Sequence, residues 1–331
     1  REVIRRIDAS TPLLFQIVLD HNRRILGTVT DGDIRRGFAR GLQLEDMVEA
    51  CMHSPPITGR VGDETRITEV LRGRRFLPLC DAEGRFEYLL VEQLGPPRAE
   101  RALILSGGLG SRLGERTKDT PKPLLPVAGK PILEHVLTRL ETYGVQQIYI
   151  SVHYLSDQIK RFVEERDNQS EITVLLEKEP LGTAGSLGLI DLPTGEPILT
   201  MNADVLTDVD LNALVEHHSR MGCNGTIAAS RHEYQVPYGV LRFDENDILQ
   251  GIEEKPTFYH LVAAGIYYLD ASIIRLAPPG KRIDMPDLLK LAIESGLRLT
   301  VFPVHEYWTD VGRPADLDDA DNFHKERQNG A

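Results

Sequence analysis

The chain is poor in several residue types, and each shortage excludes a class of protein. Among 331 residues there are three cysteines and one tryptophan. Cys51, Cys80 and Cys223 lie far apart and in no metal-ligand spacing, which argues against a disulfide scaffold or a cysteine-based zinc site. No apolar run approaches the roughly 20 residues of a membrane span, and the N-terminus has no signal-peptide core. We therefore expect a cytoplasmic protein that makes no membrane contact.

Basic residues are also scarce. The sequence has 38 Lys and Arg against 50 Asp and Glu, a formal net charge of −12, which argues against a nucleic-acid partner. Residues 1–98 contain 15 Arg, no Lys and 15 acidic residues, so residues 99–331 carry the whole excess. This change in composition, with a Pro/Gly-rich connection at 94–98, predicts two domains, 1–97 and 98–331.

What is present indicates an α/β protein. In the larger domain, strand-like apolar segments alternate with amphipathic helical segments, as in a doubly wound, mainly parallel sheet. The predicted strands are 101–105, 147–152, 171–176 and 198–201, and the predicted helices are 132–143, 157–165, 184–189 and 211–221. After residue 226 the strands lie closer together, with hairpin signals between them.

The smaller domain contains an internal repeat. A helix–strand–turn–strand unit occurs twice, which predicts an α+β domain. The predicted strands are 15–19, 25–29, 76–80 and 86–91, and helices are predicted to begin at Asp31, with an aspartate as the cap, and at Glu64.

A glycine-rich turn directly follows the first strand of the larger domain. Such a turn lets backbone N–H groups approach phosphate oxygens. A dinucleotide fingerprint needs glycine where Leu113 stands, and a P-loop needs Ser or Thr where Pro131 stands. The turn is therefore a phosphate loop of another kind, formed by Gly107, Gly108, Gly110, Ser111 and Arg112.

A second motif gives the phosphate loop a context. Prolines at 121, 123 and 126 stiffen the segment Pro-Lys-Pro-Leu-Leu-Pro-Val and hold Lys122 in place. This segment and Gly-Gly-Leu-Gly-Ser-Arg-Leu at 107–113 together resemble the signature of the sugar-1-phosphate nucleotidyltransferases, over about residues 100–326. The resemblance implies a doubly wound nucleotidyltransferase domain whose loop wraps a nucleoside triphosphate, with Arg112 and Lys122 stabilising phosphate charge.

Two aspartates match the metal ligands of that family. Asp204 follows an apolar strand, at the end of the sheet where open α/β folds place their sites. It matches the Asn-Gly-Asp motif, with alanine at position 203, and the resemblance implies Mg²⁺ binding. Asp310, in Trp-Thr-Asp-Val-Gly-Arg-Pro, matches the second Mg²⁺ ligand.

The resemblance also implies residues for the sugar and the base. On the sugar side it points to Gly239, Glu254, Lys255 and Gly265. On the base side it points to Glu177, Gly182 and Thr183. A carboxylate at position 177 only accepts hydrogen bonds, which suits the donor edge of guanine and favours GTP, although backbone groups could read the base instead.

Residues 1–97 resemble a CBS pair. Gly27-Thr-Val-Thr-Asp-Gly-Asp-Ile-Arg-Arg36 matches the end of a CBS motif, which implies that Thr30 and Asp33 hold the ribose and phosphate of an adenine nucleotide. The second copy lacks the expected Thr-x-x-Asp, and the first copy begins late. A nucleotide sensor and a ligand-free dimerisation module are both consistent with this sequence.

Together these features predict a homo-oligomeric, Mg²⁺-dependent transferase that joins GTP to a sugar-1-phosphate and releases pyrophosphate. A CBS pair fused to such a transferase resembles bacterial enzymes of surface-glycan and nonulosonic acid synthesis. The resemblance implies glucosamine-1-phosphate as the acceptor, in a legionaminic acid route. The alternatives are mannose-1-phosphate as the acceptor, a uridylyl- or thymidylyltransferase, and a catalytically inactive nucleotide-sensing scaffold.

Overall fold

The computed structural model describes residues 2–9, 15–71, 76–91, 99–108, 110–191 and 196–329. The chain forms two compact units, of which the first comprises Arg1–Ala99 with Asp210–Gly222 and the second Glu100–Val209 with Cys223–Ala331. The predicted connection at 94–98 lies outside the described residues. Among the described helices, none is long and apolar enough to cross a membrane.

Helices and strands follow the predicted alternation. The helices are α1 (Glu2–Ala9), α2 (Asp31–Ala39), α3 (Glu64–Leu71), α4 (Ile132–Thr142), α5 (Ser156–Glu165), α6 (Leu211–Met221), α7 (Ala271–Ile274), α8 (Met285–Glu294) and α9 (Pro314–Asn329). The strands of the first unit are β1 (Phe15–Leu19), β2 (Ile25–Thr30), β3 (Gly59–Arg60), β4 (Phe76–Cys80) and β5 (Phe86–Val91). The strands of the second unit are β6 (Arg101–Ser106), β7 (Pro126–Val127), β8 (Lys130–Pro131), β9 (Gln147–Val152), β10 (Glu171–Leu176), β11 (Ile198–Asn202), β12 (Val205–Thr207), β13 (Gly225–Gln235), β14 (Gly239–Phe243), β15 (Leu249–Glu254), β16 (Thr257–Leu269), β17 (Leu299–Val304) and β18 (Trp308–Asp310).

The first unit contains two small sheets. β1 pairs with β2 as an antiparallel hairpin, and β4 lies between β3 and β5. Ile7, Val29 and Ile34 form a buried cluster, so that α1 and α2 pack on β2. Burying these apolar side chains provides most of the stability of such a small layered unit.

The beginning of α2 corrects one prediction. The helix starts at Asp31 as expected, but its N-cap is Thr30 rather than an aspartate. The Thr30 Oγ1 atom accepts a hydrogen bond from the Asp33 N–H, and the Asp33 carboxylate accepts one from the Thr30 N–H, which is a capping box. Asp33 therefore caps the helix from inside its first turn.

The second unit is built on a seven-stranded sheet with strand order β10-β9-β6-β11-β16-β13-β17. The neighbours β10, β9, β6 and β11 are parallel, β16 is antiparallel to both β11 and β13, and β17 is parallel to β13. One strand, β16, thus runs opposite to the others. The rest of the sheet is parallel, in agreement with the predicted mainly parallel sheet. The central strands are almost fully buried, because helices cover both faces of a doubly wound sheet.

One predicted helix has a different form. The segment predicted as a helix at 184–189 is a 3₁₀ turn, Gly185–Leu189. A Cβ atom on Gly185 would lie 2.7 Å from the Lys281 carbonyl oxygen, and one on Gly188 would lie 3.0 Å from that of Ala277. Close backbone packing, which glycine permits, therefore sets the shape of this segment.

Candidate functional site

The two predicted metal aspartates are brought together by a short strand pair. β12 begins immediately after Asp204, β18 ends at Asp310, and the two strands pair antiparallel with Val205 opposite Asp310. The Val311 N–H also donates to the Asp204 carbonyl oxygen at 3.0 Å. Backbone hydrogen bonds therefore fix two carboxylates that lie far apart in the sequence.

Lys122 lies between these carboxylates. Its ammonium group forms an ion pair with Asp204 Oδ2 and lies 3.8 Å from Asp310 Oδ1. The prolines on both sides hold it in the 3₁₀ turn Lys122–Leu124, and its side chain is only 11% exposed. A half-buried cation beside two carboxylates is strongly attracted to them, because little water screens the charges.

Burial and charge set the titration of Asp310. Desolvation raises the pKa of this carboxyl group, and the Asp204 carboxylate raises it further, whereas Lys122 and Arg112 act to lower the pKa. Two carboxylates at close range resist being ionised together unless a cation lies between them. The two carboxylates would therefore be stabilised by more positive charge than the Lys122 ammonium group supplies.

Two oxygen atoms of this pair fit a divalent cation. Asp204 Oδ1 and Asp310 Oδ1 are buried and have no hydrogen-bond partner among the described residues. Unpartnered buried carboxylate oxygens are costly, and carboxylate oxygens are ligands that Mg²⁺ prefers. Within the described part of the chain there is no group of three or more His, Cys, Asp or Glu in a metal-binding arrangement.

Arg112 extends the charged group. A Cβ atom on Gly312 would lie 3.6 Å from Arg112 Nη1 and 3.7 Å from Asp310 Oδ1, so the guanidinium group lies close to the second aspartate. Arg112, Lys122, Asp204 and Asp310, which the sequence singled out separately, form one cluster.

The glycine-rich turn packs tightly against this cluster. Gly110 has a φ of 66°, a left-handed conformation that favours glycine. A Cβ atom there would lie 3.0 Å from Thr117 Cγ2 and 3.2 Å from Lys122 Cβ. The Thr117 hydroxyl donates to the Gly110 carbonyl oxygen at 3.1 Å. The predicted residue Ser111 begins the 3₁₀ segment Ser111–Thr117 that follows the turn.

Glu177 is a buried residue whose carboxylate contacts the loop. Its side chain accepts hydrogen bonds from the Ser151 hydroxyl and, at 3.0 Å, from the Leu181 N–H, and the residue is 3% exposed. A Cβ atom on Gly107 would lie 2.8 Å from Glu177 Oε1. In the structure, then, this carboxylate joins the glycine loop to the following segment.

Gly182 and Thr183 are held by the start of α8. Gly182 has a φ of 76°, and a Cβ atom there would lie 2.6 Å from Asp284 Oδ1. The Thr183 N–H donates to that same oxygen at 3.0 Å, and the Thr183 hydroxyl accepts from the Met285 N–H at 2.7 Å. Sequence reasoning missed Asp284, whose only signal is its position before the Met-Pro that opens a helix.

Gly265 lies beside the strand that leads to Asp204. It has a φ of 70°, and a Cβ atom there would lie 2.6 Å from Asn202 Nδ2. The neighbouring Ala264 carbonyl oxygen accepts a hydrogen bond from the Trp308 indole at 2.7 Å. The predicted sugar-side glycine thus allows a close approach of β16 to β11, and the tryptophan ties β18 to the same strand.

The remaining sugar-side residues lie on a separate hairpin. β14 pairs with β15, and Gly239 is directly opposite Glu254. A Cβ atom on Gly239 would lie 3.1 Å from Glu254 Oε2, so the carboxylate covers the glycine. Lys255 has a φ of 48° and donates its N–H to the Tyr238 carbonyl oxygen at 3.2 Å. The hairpin holds these three predicted residues together.

Thr30 and Asp33, the predicted regulatory pair, are bonded to each other in the first unit. Besides the capping box, the Thr30 hydroxyl donates to Asp33 Oδ2 at 2.7 Å, and Asp33 Oδ1 forms an ion pair with Arg36. To bind a nucleotide, Thr30 and Asp33 would therefore have to give up some of these hydrogen bonds.

The chain is similar to several known proteins. The family model described as nucleotidyl transferase matches residues 101–327. The catalytic subunit beta of mannose-1-phosphate guanylyltransferase from Drosophila melanogaster is 36% identical over 228 residues, covering 66% of this chain and 60% of that protein. Mannose-1-phosphate guanylyltransferase 1 from Arabidopsis thaliana is 33% identical over 229 residues, covering 65% of this chain and 62% of that protein. The chain thus spans about 60% of the length of these curated relatives.

Among solved structures, HddC from Yersinia pseudotuberculosis complexed with GMP-PN is similar with a TM-score of 0.54 and 27% sequence identity. The match covers 68% of this chain and 100% of that chain. Both the sequence matches and this structural match leave about a third of the chain uncovered.

Proposed function

The chain belongs to the nucleotidyl transferase family, and from this premise we propose that it transfers a guanylyl group from GTP to a hexose-1-phosphate and releases pyrophosphate. The observation that carries the proposal is the cluster of Lys122, Asp204 and Asp310, with two buried carboxylate oxygens that accept no hydrogen bond from the described residues. This cluster provides what phosphoryl chemistry needs, which is charge held in fixed positions.

The reaction needs no general base. The second pKa of a phosphate monoester is about 6, so the acceptor is largely a dianion near neutral pH. One of its oxygens attacks the α-phosphorus of GTP, a new P–O bond forms, and the bond from that phosphorus to the bridging oxygen breaks. Pyrophosphate leaves with the electron pair. The protein's task is to bring two anions together and to stabilise the departing charge.

Named side chains would share that task. Lys122, now paired with Asp204, would contact the phosphates at the reacting centre, and Arg112 would neutralise the leaving pyrophosphate. Asp204 and Asp310 would hold Mg²⁺, which when bound supplies further positive charge to the phosphate oxygens. On the sugar side, Glu254 would accept hydrogen bonds from hydroxyl groups and Lys255 would contact the sugar phosphate.

The nucleotide assignment rests on the relatives more than on Glu177. The curated relatives are named guanylyltransferases, and the solved relative is complexed with GMP-PN. Glu177, from which the sequence favoured GTP, uses its carboxylate within the fold to bind Ser151 and Leu181. Its role as a reader of guanine stays a prediction, as does the role of Gly182 and Thr183, since the Thr183 N–H already donates to Asp284.

For the sugar, the relatives favour mannose-1-phosphate over the glucosamine-1-phosphate expected from the domain arrangement. We therefore place mannose-1-phosphate first and glucosamine-1-phosphate second, with a role in GDP-sugar supply for surface glycans. The legionaminic acid route goes with the second choice.

For the first unit we propose a CBS pair whose Thr30 and Asp33 bind an adenine nucleotide. Two strand pairs with flanking helices, and the Thr30–Asp33 network at the start of α2, support this assignment. Equilibrium dialysis with AMP and with ATP tests the assignment. Saturable binding that Asp33→Ala abolishes would support a sensor, and no binding would favour the dimerisation module.

Pyrophosphate release tests the enzymatic proposal. The assay crosses four nucleoside triphosphates with mannose-, glucosamine-, glucose- and N-acetylglucosamine-1-phosphate in the presence of Mg²⁺. We expect activity with GTP and mannose-1-phosphate, and loss of nearly all turnover in Asp204→Asn. Asp119→Asn, at an exposed position, is the matched control. Activity with UTP or dTTP alone would overturn the guanylyl assignment, and a fully active Asp204→Asn would overturn the metal site.

A further inference from the structure

A cavity lies in the larger unit, beside the strand that follows Asp204. Its volume is about 390 Å³, within the size range of sites for small molecules. It is lined by residues of α4, by β12 and the following Asp208, and by His324 on α9. Neither Asp204 nor Lys122 lines it, so it is distinct from the cluster described above.

Two nitrogen atoms of residues in this wall are buried without a partner. Arg139 Nε and His324 Nε2 have no hydrogen-bond partner among the described residues. A buried donor without an acceptor costs roughly 1–3 kcal/mol, and more when it belongs to a charged group. Both residues line the cavity, but neither atom is open to it, so an acceptor brought by a ligand would satisfy the atom only after displacing the groups that now cover it.

The acidic side chains of the cavity are already paired. Asp208 forms ion pairs with Arg327 and with Arg139, the latter at 3.6 Å. Glu134 accepts hydrogen bonds from Arg166 at 2.8 Å and from the Thr138 hydroxyl at 3.0 Å. These carboxylates are therefore compensated and do not repel an anion as free charges would.

The basic side chains of the cavity do not use all of their hydrogen-bond donors within the protein. Lys130 lines the cavity, and its charge acts on Glu134, whose carboxylate is hydrogen-bonded to Arg166. Arg139 uses one terminal nitrogen to donate to the Val209 carbonyl oxygen at 2.6 Å, which leaves Nε. His135 uses Nε2 to donate to the Val127 carbonyl oxygen at 2.8 Å.

His324 is held so that its ring cannot easily turn away. It packs edge-on against Tyr307 and Phe323, with ring centroids 5.8 and 5.5 Å apart, and it lies 5.0 Å from the ring of His135. Burial lowers the pKa of His324, and the neighbouring His135 adds to this, so the ring is neutral near pH 7. A neutral imidazole offers one N–H, which suits an anionic oxygen.

We propose that this cavity binds a small oxyanion of the phosphate class, with Arg139, His324 and Lys130 as the residues that recognise it. The anion is either free inorganic phosphate or the phosphate group of a small metabolite, and the volume admits both. Because β12 both lines the cavity and follows Asp204, the occupant would contact the strand that positions the metal carboxylate.

Binding of radioactive inorganic phosphate by equilibrium dialysis tests the proposal. The full chain carries Arg112→Gln and Lys122→Gln, which remove two cations of the candidate active site, so that one phosphate site is expected to remain. In this background His324→Phe keeps an aromatic ring against Tyr307 and Phe323 but removes the nitrogens. It is expected to weaken binding by about tenfold or more.

Two further variants control for indirect effects. His324→Gln retains an amide donor and is expected to bind more tightly than His324→Phe, and His232→Phe, on the exposed part of β13, is expected to bind as well as the background. Absence of a phosphate site in the background, or equal binding by His324→Phe, would overturn the proposal. Competition with mannose-1-phosphate then separates the two sources: displacement indicates a metabolite phosphate, and its absence indicates free phosphate.

Crystals of the unsubstituted chain soaked in selenate give an answer that does not depend on any variant folding. Selenate is a phosphate-like oxyanion that scatters anomalously. An anomalous peak beside Arg139 and His324 would support the site. Peaks confined to the surroundings of Arg112 and Lys122 would contradict it.

Discussion

The carboxylate of Glu177 occupies the space into which a side chain at Gly107 would project. A Cβ atom on Gly107 would lie 2.8 Å from Oε1 and 2.9 Å from Oε2. A buried, hydrogen-bonded acid thus leaves little space for a side chain at the first glycine of the glycine-rich turn. Gly108, one residue later, has open space around it.

This contrast gives a prediction about stability. Gly107→Ala is expected to lower the free energy of unfolding by about 1–3 kcal/mol, since a methyl group would be forced against the Glu177 carboxylate. Gly108→Ala is the matched control and is expected to change stability by less than about 1 kcal/mol. Urea denaturation of both variants measures the difference. Equal stabilities would mean that the carboxylate moves aside without cost.

A second prediction concerns Lys122 and catalysis. Lys122→Met removes the cation between Asp204 and Asp310 and is expected to lower kcat by at least about 100-fold. Lys118→Met, at a side chain that is 67% exposed, is expected to leave kcat unchanged. Initial rates of pyrophosphate release at saturating substrates provide the comparison. A Lys122→Met enzyme with kcat near that of the unsubstituted protein would remove Lys122 from the proposed mechanism.

A third prediction follows from the pKa of Asp310, which burial and Asp204 raise above the usual 3.8. Because the pKa of Asp310 is higher in the folded state than in the unfolded state, ionising this group destabilises the folded protein. The protein has its full stability at pH below the unfolded-state pKa and loses some of it as the pH rises through the folded-state pKa. Asp310→Asn removes the ionised form and is expected to melt at a higher temperature than the unsubstituted protein at pH 7.5, without added metal.

The difference in melting temperature is expected to shrink as the pH is lowered, because the raised pKa makes Asp310 take up a proton at a higher pH than an ordinary aspartate does. Thermal unfolding in a series of buffers from pH 4 to pH 8 follows it. A difference that stays constant across this range would show that the substitution acts by packing and not by charge.

A fourth prediction tests the metal ligands without using activity. Binding to the folded state alone raises stability, so millimolar Mg²⁺ is expected to raise the melting temperature of the unsubstituted protein. Asp204→Asn and Asp310→Asn are each expected to lose most of this increase, while Asp119→Asn retains it. The same Mg²⁺ shift in all four proteins would place the cation elsewhere.

A fifth prediction concerns Gly265 and Asn202. Gly265→Ala puts a methyl group 2.6 Å from the Asn202 amide at a φ of 70°, so we expect a loss of about 1–3 kcal/mol of stability. Combining it with Asn202→Ala relieves the contact but not the backbone strain. The double variant, measured by urea denaturation, should therefore lose less than the sum of the two single losses. Simple additivity would show that contact with Asn202 contributes nothing.

Much of the larger unit could be predicted because local patterns determine it. The predicted strands 147–152 and 171–176 coincide with β9 and β10, and the predicted helix 132–143 extends one residue beyond α4. Each is a short apolar or amphipathic segment between clear turn signals, for which periodicity is informative. The reversal of β16 within the sheet, by contrast, depends on pairing with β11 and β13, which no local pattern encodes.

The candidate site was predicted as separate residues but not as contacts. Motifs pointed to Asp204 and Asp310 individually, whereas their pairing through β12 and β18 is tertiary. Ser151 has no sequence signal and Asp284 has only its position before a helix, because each acts on a distant segment: Ser151 bonds to Glu177 and Asp284 to Thr183. The N-cap of α2 was misplaced by one residue because threonine and aspartate both cap well.

The β12–β18 pair has a consequence for the order of events during synthesis. Its two strands lie about a hundred residues apart in the chain, and such non-local pairs form late because a long loop must close first. As the chain leaves the ribosome from its N-terminus, Lys122 and Asp204 emerge well before Asp310. The nascent protein can therefore build most of its sheet while it still lacks the second carboxylate, and catalytic competence would begin only when the last part of the chain folds back.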